Sequence, residues 1–259
     1  MSGVLDRILA QKRLEIAAMK ALPAPPRGPS RGGLVVDRLR RGGGALRLLT
    51  EIKRKSPSAG ALSTALSVGE RARLYASGGA TMISVLADTT FFDGSWAYVA
   101  EARREAGDTL VLAKEFVLDE CQVDAAAATG ADSVLLIVRC LEPARLAALV
   151  ADARAKGLEP LVEIVDEAEL RAALDADATV IGVNARDLDT LRMDVARAGR
   201  VLAAIPERCI RLHLSGVRSA DDVAALRASA VDGALIGEAL MRLDDPAPLL
   251  RTMHEAAIG

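Results

Sequence analysis

Ala45-Leu46-Arg47-Leu48-Leu49-Thr50-Glu51-Ile52, followed at once by Lys53-Arg54-Lys55-Ser56-Pro57-Ser58, carries the pattern on which the fold turns. The first half is an apolar run of strand length. Its end places charge where a buried strand should have none. Strand side chains alternate faces, so Glu51 and Lys53 share one face while Ile52 and Arg54 take the other. In a closed parallel barrel the carboxyl end of such a strand opens at the mouth, where barrel enzymes carry their chemistry.

Working outward, seven further runs follow the same plan: Met82 to Leu86, Leu110 to Ala113, Val134 to Val138, Leu161 to Ile164, Val180 to Val183, Ile210 to Leu214 and Ala234 to Ile236. Ala-, Arg- and Glu-rich stretches of helical length separate them. Runs too apolar to be half exposed suit parallel strands covered on both faces, and parallel pairing requires crossovers of this kind. Small-residue turns such as Gly78-Gly79-Ala80, Gly130-Ala131-Asp132 and Val231-Asp232-Gly233 mark the entry from helix to strand. Eight strand-then-helix units predict an α/β fold, a (β/α)8 TIM barrel, as a single domain over residues 1–259. An open doubly wound sheet would carry a G-x-G-x-x-G turn after an early strand, and the chain has none.

Residues 1–45 read as an N-terminal helical extension packed on the barrel. Leu5, Ile8, Leu9, Ile16 and Met19 form one apolar stripe, Pro23, Pro25, Pro26 and Pro29 end that helix, and Leu34, Val35 and Leu39 mark a shorter second piece.

Composition narrows the class of function. Hydrophobic residues make up 51% of the 259, enough for a core without further domains. A net charge of −2, from 33 basic and 35 acidic side chains, and only 2% aromatics argue against nucleic acid or an anionic membrane as partner. Cys121, Cys140 and Cys209 are scattered without C-x-x-C spacing and read as buried reduced thiols. His213 and His254 have no companion at metal-ligand spacing, and Trp96 and Tyr98 read as helix anchors. Charges in the first residues, with no long apolar span elsewhere, predict a soluble cytoplasmic protein.

At the carboxyl ends of the predicted strands stand Glu51 with Lys53, Asp88, Lys114, Arg139, Glu163, Asn184 with Arg186, Ser215 with Gly216, and Gly237. Any one is an ordinary polar loop residue. Together they bring cations and acids to one low-dielectric mouth suited to proton transfer. Ser215-Gly216 and Gly237-Glu238 follow the last two strands, the usual phosphate position in such barrels, where glycine lets main-chain N–H groups approach an anion.

These motifs resemble the indole-3-glycerol-phosphate synthase family of tryptophan biosynthesis. The resemblance is carried by Leu5-Asp6-Arg7-Ile8 with Lys12-Arg13, Lys53 to Ser58, Ser84-Val85-Leu86 with Phe91-Phe92, Lys114-Glu115-Phe116, Leu161-Val162-Glu163, Val183-Asn184 with Arg186-Asp187-Leu188, Ser215-Gly216-Val217 and Ile236 to Met241, in order over the whole chain. It implies ring closure, decarboxylation and dehydration of 1-(o-carboxyphenylamino)-1-deoxyribulose 5-phosphate to indole-3-glycerol phosphate, by a carbon–carbon lyase needing no metal or organic cofactor. By the match, Lys114 is the general acid of closure, Glu163 and Glu51 handle later protons, and Lys53 sits beside substrate carboxylate and phosphate as a further catalytic proton donor. Ser56, Asn184 and Arg186 would orient the substrate. Phe116 and Leu188, with Leu135 and Leu235, would wall its ring, and Ser215, Gly216, Gly237 and Glu238 would hold the phosphate through main-chain groups. The implied partner is a small anionic sugar phosphate, with room for weak association with other enzymes of the tryptophan pathway.

One departure stands out. The family usually has Glu immediately before the Ser-Gly of strand seven, where this chain has Leu214, a position sharing parity with Ile210 and Leu212 and so facing the interior. Loss of that carboxylate predicts lowered pKa values for Lys53 or Lys114. It opens two alternatives: a diverged member with weakened activity or an altered substrate, or a non-catalytic barrel that binds a phosphate ligand. Another sugar-phosphate barrel, such as phosphoribosylanthranilate isomerase, would leave the Lys53 to Ser58 run unexplained.

Overall fold

Eight parallel strands close on themselves in the computed structural model, which describes residues 3–42, 44–57, 59–186 and 192–259. They are β1 (Arg47–Ile52), β2 (Met82–Leu86), β3 (Leu110–Lys114), β4 (Ser133–Ile137), β5 (Glu159–Ile164), β6 (Val180–Val183), β7 (Ile210–His213) and β8 (Gly233–Ile236). Each neighbours the next in sequence, and β1 closes the ring by pairing with β8 from Arg47↔Gly233 to Thr50↔Ile236 and with β2 from Leu49↔Met82 to Ile52↔Val85. This is the (β/α)8 barrel expected.

Alternation divides the core into two apolar clusters. Leu49, Met82, Leu110, Leu112, Leu135, Leu161, Val180, Ile210, Leu212 and Leu235 fill the barrel interior. Leu48, Ile83, Val111, Val134, Val162, Ile181 and Ala234 face outward and pack on the helical layer. Because the interior is filled below, the charged positions nearer the carboxyl ends of β1, β3 and β5 are left to line its upper opening. Crossover helices start at side-chain caps: Ser67 and Glu70 form a reciprocal capping box, and Asp119, Asp166 and Ser219 cap later helices.

Helical elements ahead of β1 reach both ends of the barrel. Helix Val4–Lys20 buries Leu5, Ile8, Lys12 and Ile16, and its amino end reaches the mouth. A 3-10 turn at Gly32–Leu34 and the short helix Val35–Leu39 run beneath the amino ends of the strands. There the Arg31 N–H donates to Asp132 Oδ1 at 2.8 Å and the Arg41 N–H donates to Asp232 Oδ1 at 3.1 Å, each aspartate standing just before a strand. Val35 and Leu39 are fully buried, whereas Leu34 stays 43% exposed.

Of the cysteines only Cys209 is buried, while Cys121 and Cys140 are half-buried; none forms a disulfide among the described residues. Tyr98 packs on the helical layer and accepts a hydrogen bond from the Arg54 guanidinium. Among the described residues no helix is long and apolar enough to cross a membrane.

Candidate active site

The strand pattern decides which side chains reach the mouth. Glu51 shares parity with Leu49, Lys114 with Leu112 and Glu163 with Leu161, so all three turn inward above the leucine layer. Glu51 is 2% exposed and bridges two cations: Lys53 pairs with one carboxylate oxygen, and Lys114 Nζ lies 2.6 Å from the other. Across the opening, Glu163 accepts from Asn184 Nδ2 at 2.9 Å. Asn184 Oδ1 in turn accepts from the Ser215 hydroxyl at 2.8 Å and the Arg186 N–H at 3.0 Å, so the ends of β5, β6 and β7 form one hydrogen-bonded network.

Electrostatics fix two of the charges. Burial pushes the Glu51 carboxyl up, but Lys114 and Lys53 outweigh it and hold the group at about 2. Burial lowers the Lys114 ammonium and the carboxylates of Glu51 and Glu163 raise it further, so the net shift is upward. With Leu214 in the wall, Glu51 in contact and Glu163 nearby supply the negative charge that keeps the Lys114 ammonium above its ordinary value.

A cavity of about 660 Å³ opens over these groups. Glu51, Lys53, Ser56, Lys114, Phe116, Glu163, Asn184, Arg186, Ser215, Gly216, Gly237 and Glu238 all line it. Leu188 lies outside the described residues. Ser56 is buried, and its hydroxyl accepts from the Ala59 N–H at 3.1 Å, bracing the loop after β1.

Two glycines shape the turns that follow β7 and β8. Gly216 has φ +93°, which side-chain-bearing residues rarely adopt. Gly237 lies so near β1 that a Cβ on it would stand 2.4 Å from Glu51 Oε1. Glu238 opens a four-residue helix, Glu238–Met241, and pairs with Arg242 at 2.6 Å. The Arg242 hydrogen bond, with Arg186 and Lys53 at longer range, holds the Glu238 carboxyl below its usual value despite partial burial.

The remaining wall is apolar. Phe116 is 7% exposed, its ring centroid 5.9 Å from that of Phe92, with Leu135, Ile137, Leu214 and Leu235 alongside. Leu214 joins the interior cluster as its parity predicts and leans over Gly182, where a Cβ would meet it at 2.4 Å.

Two strand-end residues turn away from the mouth. Arg139 sits in a 3-10 turn and pairs with Glu169 at 3.0 Å, and Asp88 pairs with Lys12 at 2.7 Å. Conversely, Glu115, Phe92, Arg218, Arg242 and the helix residues Val4, Leu5 and Ile8 line the cavity without having been singled out as site residues. For the N-terminal helix a signal existed: Lys12 interrupts the buried stripe of Ile8 and Ile16, and a buried ammonium needs a carboxylate partner. Among the described residues no three His, Cys, Asp or Glu come together as metal ligands.

Comparison with known proteins assigns the family. The family model described as indole-3-glycerol phosphate synthase matches residues 5–253. An indole-3-glycerol phosphate synthase of Exiguobacterium sp. is 38% identical over 257 residues, covering 98% of this chain and 97% of the relative. One from Streptomyces coelicolor, named indole-3-glycerol phosphate synthase 2, is 41% identical over 259 residues, covering 97% and 98%. The crystal structure of 3-hexulose-6-phosphate synthase from Salmonella typhimurium superposes with a TM-score of 0.66 at 16% identity, over 82% of this chain and 98% of that one, a likeness of fold alone. A family match along nearly the whole chain, with relatives 38% and 41% identical over almost their full length, places this protein in the indole-3-glycerol phosphate synthase family.

Proposed function

We propose that this protein converts 1-(o-carboxyphenylamino)-1-deoxyribulose 5-phosphate to indole-3-glycerol phosphate, carbon dioxide and water, with the cavity over Glu51, Lys114 and Glu163 as its active site. The carrying observation is Lys114, a cation 2.6 Å from a buried carboxylate and opposite a second one, in a cavity with an apolar wall and a glycine-shaped rim.

Ring closure needs an acid on the ketone oxygen as the aryl carbon attacks it. Lys114, held cationic by Glu51 and Glu163, is the donor: the new carbon–carbon bond forms and its proton goes to the developing alkoxide. The carboxylate then leaves as carbon dioxide and its bonding pair restores the aromatic ring. Dehydration follows, the hydroxyl leaving with a second donated proton while a base withdraws one from the neighbouring carbon. Each turnover therefore takes up one solvent proton, matching the loss of a carboxylate as a neutral gas.

Glu163, oriented by Asn184, is the base of that last step. Glu51, with its carboxyl at about 2, is a poor proton carrier and serves as the anchor that sets both lysines. Lys53, free of the strand and 15% exposed, faces the substrate's carboxylate and phosphate. Arg186 and the main chain of Ser215, Gly216, Gly237 and Glu238 bind the phosphate, and Phe116 with its neighbours packs on the aryl ring. Whole-chain similarity to the family favours this activity over a weakened or non-catalytic barrel, and Leu214 becomes part of the apolar wall.

The test is turnover of that substrate followed by indole fluorescence. The purified protein should form product, and Lys114→Ala should lower kcat by about 10²-fold or more, the scale of a lost general acid. No product from the unaltered protein, or an unimpaired Lys114→Ala, defeats the proposal.

A further inference from the structure

Lys12 occupies the middle of the buried stripe of helix Val4–Lys20 and is 1% exposed. Its ammonium meets Asp88 Oδ2 at 2.7 Å and Glu115 Oε2 at 3.0 Å, both on the barrel and both buried, and Glu15 Oε2 at 2.7 Å on its own helix. Packing alone does not explain such an ion, because an apolar side chain of similar volume would seat the helix without desolvating charge. The partners give the explanation. Asp88 Oδ1 accepts the N–H groups of Phe91 and Phe92 at 2.6 and 3.0 Å, and Glu115 Oε1 accepts the Phe116 N–H at 2.7 Å. Phe92 and Phe116 are the two aromatic rings of the cavity wall, and the same helix adds Val4, Leu5 and Ile8 beside them. One ammonium thus fixes the backbone under both rings and the helix that completes the wall.

We propose that Lys12 is a positioning residue for the ring-binding half of the cavity, setting Phe92 and Phe116 through Asp88 and Glu115 while leaving the phosphate end untouched. This deepens the proposed function and rests on its placement of an aryl ring against that wall. Glu15 ties Lys12 only to its own helix and has no part in it.

Lys12→Met, Asp88→Asn and Glu15→Gln separate the roles. Asn retains the capping acceptor for Phe91 and Phe92 but not the ion pair, so Asp88→Asn decides the matter if Lys12→Met does not fold. Both should raise KM for the substrate about tenfold, the scale of an imperfect apolar contact in a specificity pocket. Their inhibition constants for inorganic phosphate should stay within about twofold of the unaltered protein's, with kcat less affected than KM, and Glu15→Gln should change neither constant. A purely structural role would move phosphate affinity together with KM, or move neither, and either result overturns the proposal, as does an unchanged KM in Asp88→Asn. An inactive wild type would refute the proposed function and this inference with it; an active wild type whose KM ignores Asp88→Asn refutes only the inference.

Discussion

Glu51 lies between two lysines and is the residue on which the charge balance of the mouth depends. Its own proton is lost far below neutrality, and its charge helps keep Lys114 protonated above the ordinary lysine value of 10.5. If Lys114 is the acid of ring closure, kcat should hold through neutral pH and fall only as that ammonium titrates, above roughly pH 10.5. Glu51→Gln removes the nearest negative charge while burial still disfavours the ammonium, so the alkaline limb should move to lower pH. Profiles of kcat against pH for the two proteins check this, and an alkaline limb that stays put in Glu51→Gln would mean that another group donates the proton. This residue was legible in the sequence because a carboxylate at an inward strand position has no structural purpose. Glu115 was not. By strand parity it should point away from the mouth next to Lys114, and it turns in only because β3 ends at Lys114 and the backbone departs from the strand.

At the scale of elements, the turn from β8 into helix Glu238–Met241 is fitted against β1 with no room to spare. Gly237 accommodates the Glu51 carboxylate where a methyl group would stand 2.4 Å from Oε1. Gly237→Ala must therefore displace either this turn or Glu51 with both its lysines. We expect kcat to fall and KM to rise together, by about tenfold or more in kcat/KM, with the melting temperature lowered only modestly. Steady-state kinetics alongside thermal unfolding measure this; kinetics equal to wild type would show that the turn is not set against Glu51. The strands themselves were readable almost to the residue, because each is covered on both faces and so is mostly apolar, with charges such as Glu51 and Glu163 confined to a few positions; β2 and β6 match their expected ranges, and β1 begins two residues later, at Arg47. The two-stranded hairpin of Lys55–Ser56 and Gly60–Ala61 has no such pattern, being short and partly exposed, and local sequence gave no sign of it. The extension was legible as helix but not in its reach to both barrel ends. Its positions are fixed by contacts such as Lys12 to Glu115 and Arg41 to Asp232, which no local periodicity encodes.

For the molecule as a whole, two buried carboxylates give stability opposite dependences on pH. Glu51 has a folded pKa well below the unfolded value of 4.5, so its stabilisation is complete above that value and is lost as pH falls toward about 2. Glu115 behaves the other way. Burial, together with the negative charge of Asp88, outweighs Lys12 and the Phe116 N–H and raises its carboxyl to about 7. Between pH 4.5 and about 7 the unfolded chain has given up this proton while the folded chain keeps it, so the folded state binds more protons and stability declines as pH rises. The decline levels off above about 7, where both states are ionised, and amounts to something on the order of 3 kcal/mol. Glu115→Gln cannot titrate, and its loss of one acceptor for Lys12 or the Phe116 N–H is a pH-independent offset. The difference in unfolding midpoint between Glu115→Gln and wild type should therefore shift in favour of the variant from pH 5 to pH 8 and change little beyond. Thermal unfolding in matched buffers at these values measures it, and a difference that is flat across the interval would show that Glu115 is already ionised in the folded barrel, with Lys12 neutralising it fully.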